Sequence, residues 1–180
     1  QGLTDKTHYI TSTGIQGAHA DYNAKVLLDT YAIGGLQEGQ VKYLYAPTHL
    51  NPTYEYGVTF ERGVRIIYGD RSLAMISGTA SINNKGEVVH VGNIEKQTLR
   101  MLENVKVLLN EAGMDFENMA HAIVYLRDLA DFPLVAKIFD ECLPNVPRVV
   151  TLAPVCRPTW LIEMECMAVK AEDNPQFKKL

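Results

Sequence analysis

From about Val58 onward the spacing of apolar residues changes several times, and the order of these changes is compatible with few folds. Two strand-like runs come first, "VTFERGVRIIYG" and "SLAMISGTASI", with the turn "GDRS" between them. A helical period follows over residues 94–112, and Gly113 is a natural stop at its C-terminal end. The face that this period predicts to be buried consists of Thr98, Leu102, Val105, Leu109 and Ala112.

In the second half of the chain the spacing of apolar residues again changes from that of a strand to that of a helix. "AHAIVYLRD" has the composition of a strand, and Asp131 then precedes a helical run with Pro133 in its first turn. Two further strands, "RVVTLA" and "LIEMECMAV", close the pattern. The order β-β-α-β-α-β-β predicts an α+β domain in which both helices pack on one face of a mixed sheet.

This domain is predicted to span residues 57–170. Residues 1–56 are predicted to be a β-rich N-terminal extension with strands at "THYITSTGIQG", "NAKVLLDTYAIGG" and "VKYLYA", and residues 171–180 a C-terminal tail. Gln1 in place of a methionine is compatible with a processed chain or with the rear part of a longer protein.

Composition and charge exclude several classes of function. The net charge is −4 and the basic residues are scattered, so a nucleic-acid-binding protein is not expected. Cys142, Cys156 and Cys166 are odd in number and form no CxxC pair, and the five histidines are isolated. This pattern favours a reduced, intracellular chain without a metal site. No apolar run is long enough to span a membrane and no signal segment opens the chain, so a cytoplasmic protein is predicted.

The closing strands contain the most informative residues for function. Alternation sets Glu163 and Glu165 on one face of the last strand, against an apolar set on the other face. A hairpin around "PVCRP" would bring Arg148 nearly opposite Glu163. Arg148 could then bind a substrate carboxylate through two parallel hydrogen bonds, and Glu163 could activate water or move a proton. A structural salt bridge across the hairpin is the alternative interpretation of the same pair.

The span 57–170 resembles the RidA/YjgF family of enamine and imine deaminases, also described as L-PSP endoribonucleases or translation inhibitors. The resemblance rests on "MISGTASI", "TLRMLENVKVLLNEAG", "IVYLRDLADF" and the pair "PRVV" and "IEMECMAV". It implies a chorismate-mutase-like fold, a homotrimer with its sites between subunits, and no metal or organic cofactor. It also implies that Arg148 binds substrate and that Glu163 is the active-site glutamate, because the two keep the family's separation.

The chain departs from that family at several positions. Val150 replaces a cysteine usual in the family, Ala130 replaces a common asparagine, and the N-terminal extension has no counterpart in the minimal domain. The extension and the step "CRPTWLIE" are similar to the larger chorismatase-type members, which hydrolyse an enolpyruvyl ether. Cys156 and Glu163 have the spacing of seven residues that lines the site in those enzymes.

Two further residues are candidates for substrate binding. Arg62 could supply a second contact to a carboxylate, although an arginine at the start of a strand is commonly just solvated. In members of the family that this span resembles, the position of Tyr125 lies near the pocket. The alternative is that Tyr125 is a buried tyrosine that only packs its ring.

Three functions therefore stay open from the sequence. The first is a RidA-like hydrolase of small imines or enamines of 2-oxo acids, with Arg148 binding the carboxylate and Glu163 activating water. The second is a chorismatase-like hydrolase with Glu163 as proton donor and Cys156 beside it. The third is a trimer that binds a metabolite carboxylate without turnover, which the departures at Val150 and Ala130 keep open.

Overall fold

The computed structural model describes residues 8–17 and 20–180 of the chain. Six strands form one sheet: β1 (Val41–Leu44), β2 (Gly63–Ile67), β3 (Arg71–Ala80), β4 (Met119–Leu126), β5 (Arg148–Leu152) and β6 (Ile162–Ala171). Two α-helices are present in this part of the chain, α1 (Ile94–Glu111) and α2 (Phe132–Cys142). Short 3-10 turns cover Thr53–Tyr56, Phe116–Asn118 and Leu129–Asp131.

The sheet is mixed, and its strand order is β1-β2-β3-β6-β4-β5. All neighbouring strands are antiparallel except β4 and β5, which run parallel. From β2 to β6 the element order is the predicted β-β-α-β-α-β-β, so the predicted α+β class is confirmed. The last strand in the sequence lies in the middle of the sheet, between β3 and β4.

The main hydrophobic core lies between one face of the sheet and the two helices. From the sheet it contains Ala122, Val124 and Leu126 of β4 beside alternate residues of β6. From the helices it contains the predicted buried face of α1 together with Val135, Ile138 and Phe139 of α2. Because strand side chains alternate, every second residue of β4 and β6 is left on the opposite, helix-free face.

Helix α1 begins and ends close to the predicted positions. The Asn93 side chain accepts a hydrogen bond from the Lys96 amide at its N-terminus, and Gly113 follows its end with a φ of 72°. Within the helix, the fully buried Asn104 donates to the carbonyl oxygens of Ala80 at 3.0 Å and Ile82 at 3.1 Å. These bonds fix the end of β3 against the helix.

The N-terminal extension contains fewer strands than the sequence predicts. "VKYLYA" forms β1, which joins the same sheet as the rest of the domain. The prediction of a strand at "NAKVLLDTYAIGG" is wrong, because residues 23–34 make no strand pairing. The "THYITSTGIQG" segment forms only two isolated bridges, at Thr11 and Ile15, and its first residue lies outside the described residues. A sequence with strand-like composition forms a strand only where a sheet edge is available to pair with it.

The prediction of a hairpin between the two closing strands is also wrong. β5 pairs with β4, and β4 separates β5 from β6. The connection 153–161 is too long for a tight hairpin turn, and Arg127 holds it in place. The Arg127 guanidinium donates to the carbonyl oxygens of Trp160 at 2.7 Å, Val155 at 2.8 Å and Arg157 at 2.8 Å.

Neither α1 nor α2 is long and apolar enough to cross a membrane, and the described residues contain no other helix that could.

Candidate active site

Glu163 is a buried carboxyl on the helix-free face of the sheet. Its neighbours across the sheet are Ala80 of β3 and Tyr125 of β4. Only 4% of the residue is exposed, and Oε2 has no hydrogen-bond partner among the described residues. The predicted alternation along β6 is confirmed, with Ile162, Met164, Cys166 and Ala168 facing the helices. An unpaired buried carboxyl oxygen is costly to a fold, which marks this position as a candidate functional site.

The surroundings of Glu163 favour its neutral form. Burial and the nearby charge of Glu165 raise its pKa from 4.5 to about 7, although the positive charge of Arg62 opposes this shift. A carboxyl with a pKa near neutrality can donate a proton and take one back at physiological pH. Glu163 is therefore suited to general acid-base catalysis.

Gly78 makes room for the Glu163 carboxyl. It lies in an irregularity of β3, where the pairing with β6 shifts between Ile76 and Thr79. A Cβ atom at Gly78 would overlap Glu163 Oε1 and would lie 2.8 Å from Thr13 Cγ2. The Gly78 amide also donates to Thr13 Oγ1 at 2.9 Å. Glu163 and Thr13 thus approach each other over Gly78, the one residue of β3 without a side chain.

Arg62 lies on the same side of the sheet as Glu163 and is only 5% exposed. Its Nε and Nη2 atoms donate to the Asn51 carbonyl oxygen at 3.3 Å and 3.0 Å, and Nη2 also donates to Asn51 Oδ1 at 3.1 Å. Its charge acts on Glu163, as the lowering effect on that pKa indicates. The alternative interpretation of Arg62 as a solvated surface residue is wrong.

Tyr125 connects Glu163 with the second glutamate of the face. It pairs with Glu163 across β4 and β6, and its hydroxyl donates to Glu165 Oε1 at 3.0 Å. Burial, followed by the charge and the hydrogen bond of Glu165, raises the pKa of the Tyr125 hydroxyl, so this group stays protonated. Tyr125 is a hydrogen-bond donor beside the candidate acid.

Cys156 also lies close to this carboxyl. Partial burial and then the charge of Glu163 raise the pKa of its thiol. Sγ donates to the Gly14 carbonyl oxygen at 3.1 Å. Because a thiol with a raised pKa is a poor nucleophile, Cys156 is suited to lining the site and not to attacking a substrate.

A segment of the N-terminal extension, residues 8–17, passes across this face, and we call it the strap. At one end the Tyr9 amide donates to Glu61 Oε1 at 2.9 Å, and Thr11 bridges Glu61 in parallel. At the other end Ile15 bridges Val155 in antiparallel fashion. Thr13 lies between the two ends, over Gly78 and beside the Glu163 carboxyl.

Arg148 does not lie beside Glu163, contrary to the hairpin prediction. In the register it shares a row with Ala122 and Cys166, which puts it on the helix side of the sheet, about 14 Å from Glu163 between Cα atoms at ordinary strand spacings. There its guanidinium donates to the Leu143 carbonyl oxygen at the C-terminus of α2 and forms an ion pair with Asp140.

Val150 lies on the helix side as well. It packs against the main core and lines an apolar groove of about 220 Å³ beside Leu126 and Leu129. Of the six predicted site residues, Glu163, Tyr125, Cys156 and Arg62 therefore share one side of the sheet, and Arg148 and Val150 share the other.

The sequence reasoning missed Thr13 and Gly78. An isolated glycine inside a strand pattern signals a bulge or a close approach of another chain segment, and "ISGTAS" contains that signal. Nothing in the sequence around Thr13 signals contact with a glutamate 150 residues away. Within residues 8–17 and 20–180, no group of three or more His, Cys, Asp or Glu residues could hold a metal ion.

The family model described as endoribonuclease L-PSP matches residues 60–170. The chain belongs to the endoribonuclease L-PSP family. Among curated relatives, the 3-aminoacrylate deaminase RutC of Acinetobacter baylyi is 29% identical over 99 residues, which are 54% of this chain and 79% of RutC. A RutC family protein of Saccharolobus solfataricus is 31% identical over 114 residues, which are 62% of this chain and 87% of that protein.

Solved structures show that the fold of this endoribonuclease L-PSP family member is shared. A putative endoribonuclease L-PSP from Entamoeba histolytica aligns with a TM-score of 0.62 and 22% identity, over 72% of this chain and 99% of that one. A chorismatase aligns with a TM-score of 0.64 and 21% identity, over 75% of this chain and 44% of the chorismatase. At these identities the likeness concerns the fold alone.

Proposed function

We propose that this protein is a hydrolase that deaminates small enamine or imine derivatives of 2-oxo acids. The observation that carries the proposal is Glu163, a buried carboxyl whose pKa is raised to about 7 and whose Oε2 has no partner among the described residues. The family membership and the deaminase name of the RutC relative support the same reaction class.

The chemistry requires one group that first gives and then takes a proton. Glu163 in its neutral form protonates the carbon of the enamine, which gives an iminium ion. The resulting carboxylate accepts a proton from the water that attacks the iminium carbon. Proton transfer to nitrogen then lets ammonia leave and the carbonyl form, with Glu163 neutral again.

Arg62 is the proposed carboxylate-binding group. It is an arginine on the Glu163 side of the sheet, and its charge already acts on that carboxyl. A substrate carboxylate bound at Arg62 would be held on the Glu163 side of the sheet by parallel hydrogen bonds. The assignment of this role to Arg148 stays a prediction, to be tested by the same variants.

The assay generates short imino acids with an amino-acid oxidase or a dehydratase and traps the remaining imine. We expect the protein to accelerate imine loss, and Glu163→Gln to lower this rate by roughly 100-fold, the size of an acid-base contribution. Glu117→Gln, at an exposed glutamate on the 3-10 turn before β4, is the matched control and should leave the rate unchanged. Imine loss at the blank rate from folded protein would overturn the proposal.

Arg62→Lys and Arg148→Lys separate the two candidate anchors in this assay. We expect Arg62→Lys to raise KM for the carboxylate substrate, because lysine cannot form two parallel hydrogen bonds. Arg148→Lys should leave KM unchanged. The reverse result would transfer the anchoring role to Arg148.

Hydrolysis of an enolpyruvyl ether is the second candidate function. Cys156 lies beside Glu163 at the spacing discussed above, and the effect of the Glu163 charge on the pKa of this thiol indicates that the two groups interact. An enol ether is also opened by protonation at carbon, so the same Glu163 proton would serve. A rise in melting temperature with cyclic aromatic-sized dicarboxylates, and none with short 2-oxo acids, would favour this second reaction over the first.

A homotrimer is proposed as the assembled state. The resemblance to RidA/YjgF implies it, and the edge strand β5 exposes Leu152 next to the exposed Leu129 and Phe132. An apolar patch on an unpaired strand edge is suited to burial against another subunit.

A further inference from the structure

The strap covers the carboxyl to which the proposed function assigns the chemistry. Glu163 is 4% exposed, and Thr13 of the strap meets it over Gly78. A general acid must come within about 3 Å of the atom that it protonates. Oε2 of Glu163 is buried, so a substrate atom can reach it only if residues that cover the carboxyl move.

Scattered single contacts, and no continuous strand ladder, hold the strap in place. Its two bridges, at Thr11 and Ile15, are single-residue pairings that do not continue into a ladder. His8 adds a contact to Glu61 at 3.4 Å and ring stacking on Tyr43. The other hydrogen bonds are isolated, such as Ser12 amide to Ser77 Oγ at 3.1 Å and Gln16 amide to Pro154 oxygen at 2.9 Å. Tyr9, Thr11 and Thr13 are half-buried and the other seven residues of the strap are exposed, so no strap residue belongs to the hydrophobic core. Segments with these properties open at free energies far below that of global unfolding.

With the strap closed, one oxygen of Glu163 is left without a hydrogen-bond partner in the part of the chain that the structure describes. Thr13 Oγ1 accepts a hydrogen bond from the Gly78 amide, and Oε2 of Glu163 has no partner among the residues that the structure describes. A ligand with a donor group beneath the strap would satisfy that oxygen. With the strap closed, Oε2 of Glu163 thus has room for a hydrogen bond, and this is the atom that a substrate would have to reach.

We propose that residues 8–17 form a movable strap that opens to admit the substrate to Glu163 and closes over it, with Thr13 as the residue that contacts the bound molecule. The proposal rests on the proposed function, because it takes Glu163 to be the reacting group. In the closed position the strap excludes water from the reacting carbon, apart from the water that is consumed.

A reversible crosslink tests the movement. Ile15 and Val155 are antiparallel bridge partners, so their Cα separation suits a disulfide, and neither residue is assigned a catalytic or substrate-binding role. We expect oxidised Ile15→Cys/Val155→Cys to lose turnover by roughly tenfold or more, and reduction to restore it. Ile15→Ser/Val155→Ser, which cannot crosslink, should be indifferent to the same oxidant. Peptide mapping confirms the 15–155 link, and full turnover by the linked protein would overturn the proposal.

Amide hydrogen exchange gives a second measurement that does not depend on turnover. The Gly78 amide donates to the strap, whereas the Ala74 amide lies within the paired part of β3. We expect the Gly78 amide to exchange roughly 100-fold faster than that of Ala74, and to be slowed by the crosslink. Exchange of Gly78 only at the rate of global unfolding would show a fixed strap and overturn the proposal.

The two measurements keep the two proposals apart. If the reduced variant and the unaltered protein both lack turnover on enamines, imines and enol ethers, the proposed function fails. The exchange of the Gly78 amide still decides whether the strap opens.

Discussion

At Glu163, neighbouring groups act in opposite directions on one proton. Burial and the charge of Glu165 favour the neutral carboxyl, and Arg62 favours the carboxylate. Because the balance leaves the pKa at about 7, small changes nearby shift the fraction of protonated Glu163 at neutral pH. The groups around Glu163 therefore determine both its proton transfer and the pH dependence of that transfer.

The first prediction concerns stability and pH. The Glu163 carboxyl has an ordinary pKa of 4.5 when the chain is unfolded and a pKa of about 7 in the folded protein, so between these values the unfolded chain loses a proton that the folded chain keeps. The free energy of unfolding should therefore fall by roughly 3 kcal/mol as pH rises through this window. Glu163→Gln removes this contribution and should unfold with a flatter pH dependence.

Urea denaturation at about pH 5 and about pH 8 measures this difference. At the higher pH the Gln variant should equal or exceed the unaltered protein in stability. Parallel pH profiles for the two proteins would contradict a raised pKa at Glu163.

The second prediction concerns Gly78. Gly78→Ala adds a methyl group that overlaps Glu163 Oε1 and crowds Thr13, so the carboxyl and the strap must both shift. We expect turnover to fall by roughly 100-fold, because displacement of a catalytic group by about 1 Å is enough for this. Gly17→Ala is the matched control in the same assay, since a Cβ there meets nothing within 4 Å. Equal turnover in the two variants would show that the Gly78 contact is not needed.

At the scale of elements, local sequence predicts what depends on local contacts. The limits of α1 follow from Asn93, the apolar period and Gly113, and the outward and inward faces of β6 follow from alternation. The pairing of β5 does not, because it depends on which strand lies next to it in the sheet and no local pattern encodes that choice. The burial of Arg62 and the course of the strap likewise depend on contacts between residues that are far apart in the sequence.

The third prediction concerns the connection 153–161. Arg127→Ala removes the donor that serves three carbonyl oxygens of this loop, those of Val155, Arg157 and Trp160. We expect a loss of about 2–4 kcal/mol in the free energy of unfolding, because carbonyls that relied on a charged donor lose it. Chemical denaturation measures this loss, and Arg127→Lys should recover only part of it, since one ammonium cannot reach three oxygens in different directions. A change within about 0.5 kcal/mol for Arg127→Ala would contradict the role assigned to this side chain.

At the scale of the whole molecule, the exposed apolar edge of β5 bears on the oligomeric state. The fourth prediction is that the protein has three times the 20.1 kDa chain mass in solution, as measured by light scattering. Leu152→Asp, on the exposed edge of β5, should shift the mass toward that of one chain, because a charge in a buried subunit contact lacks a partner. Leu27→Asp changes the same residue type at a similarly exposed position outside the sheet and is the control. A single-chain mass for the unaltered protein would contradict the trimer.

The position of β6 in the middle of the sheet has a consequence for biosynthesis. A ribosome releases β1 to β3 and then β4 and β5 before it has made Ile162–Ala171, so the two halves of the sheet wait side by side without the strand that joins them. Until then β3 and β4 each present an unpaired apolar edge to other nascent chains nearby. Slow translation between residues 126 and 162 should therefore lower the yield of native protein more than equally slow translation before residue 63.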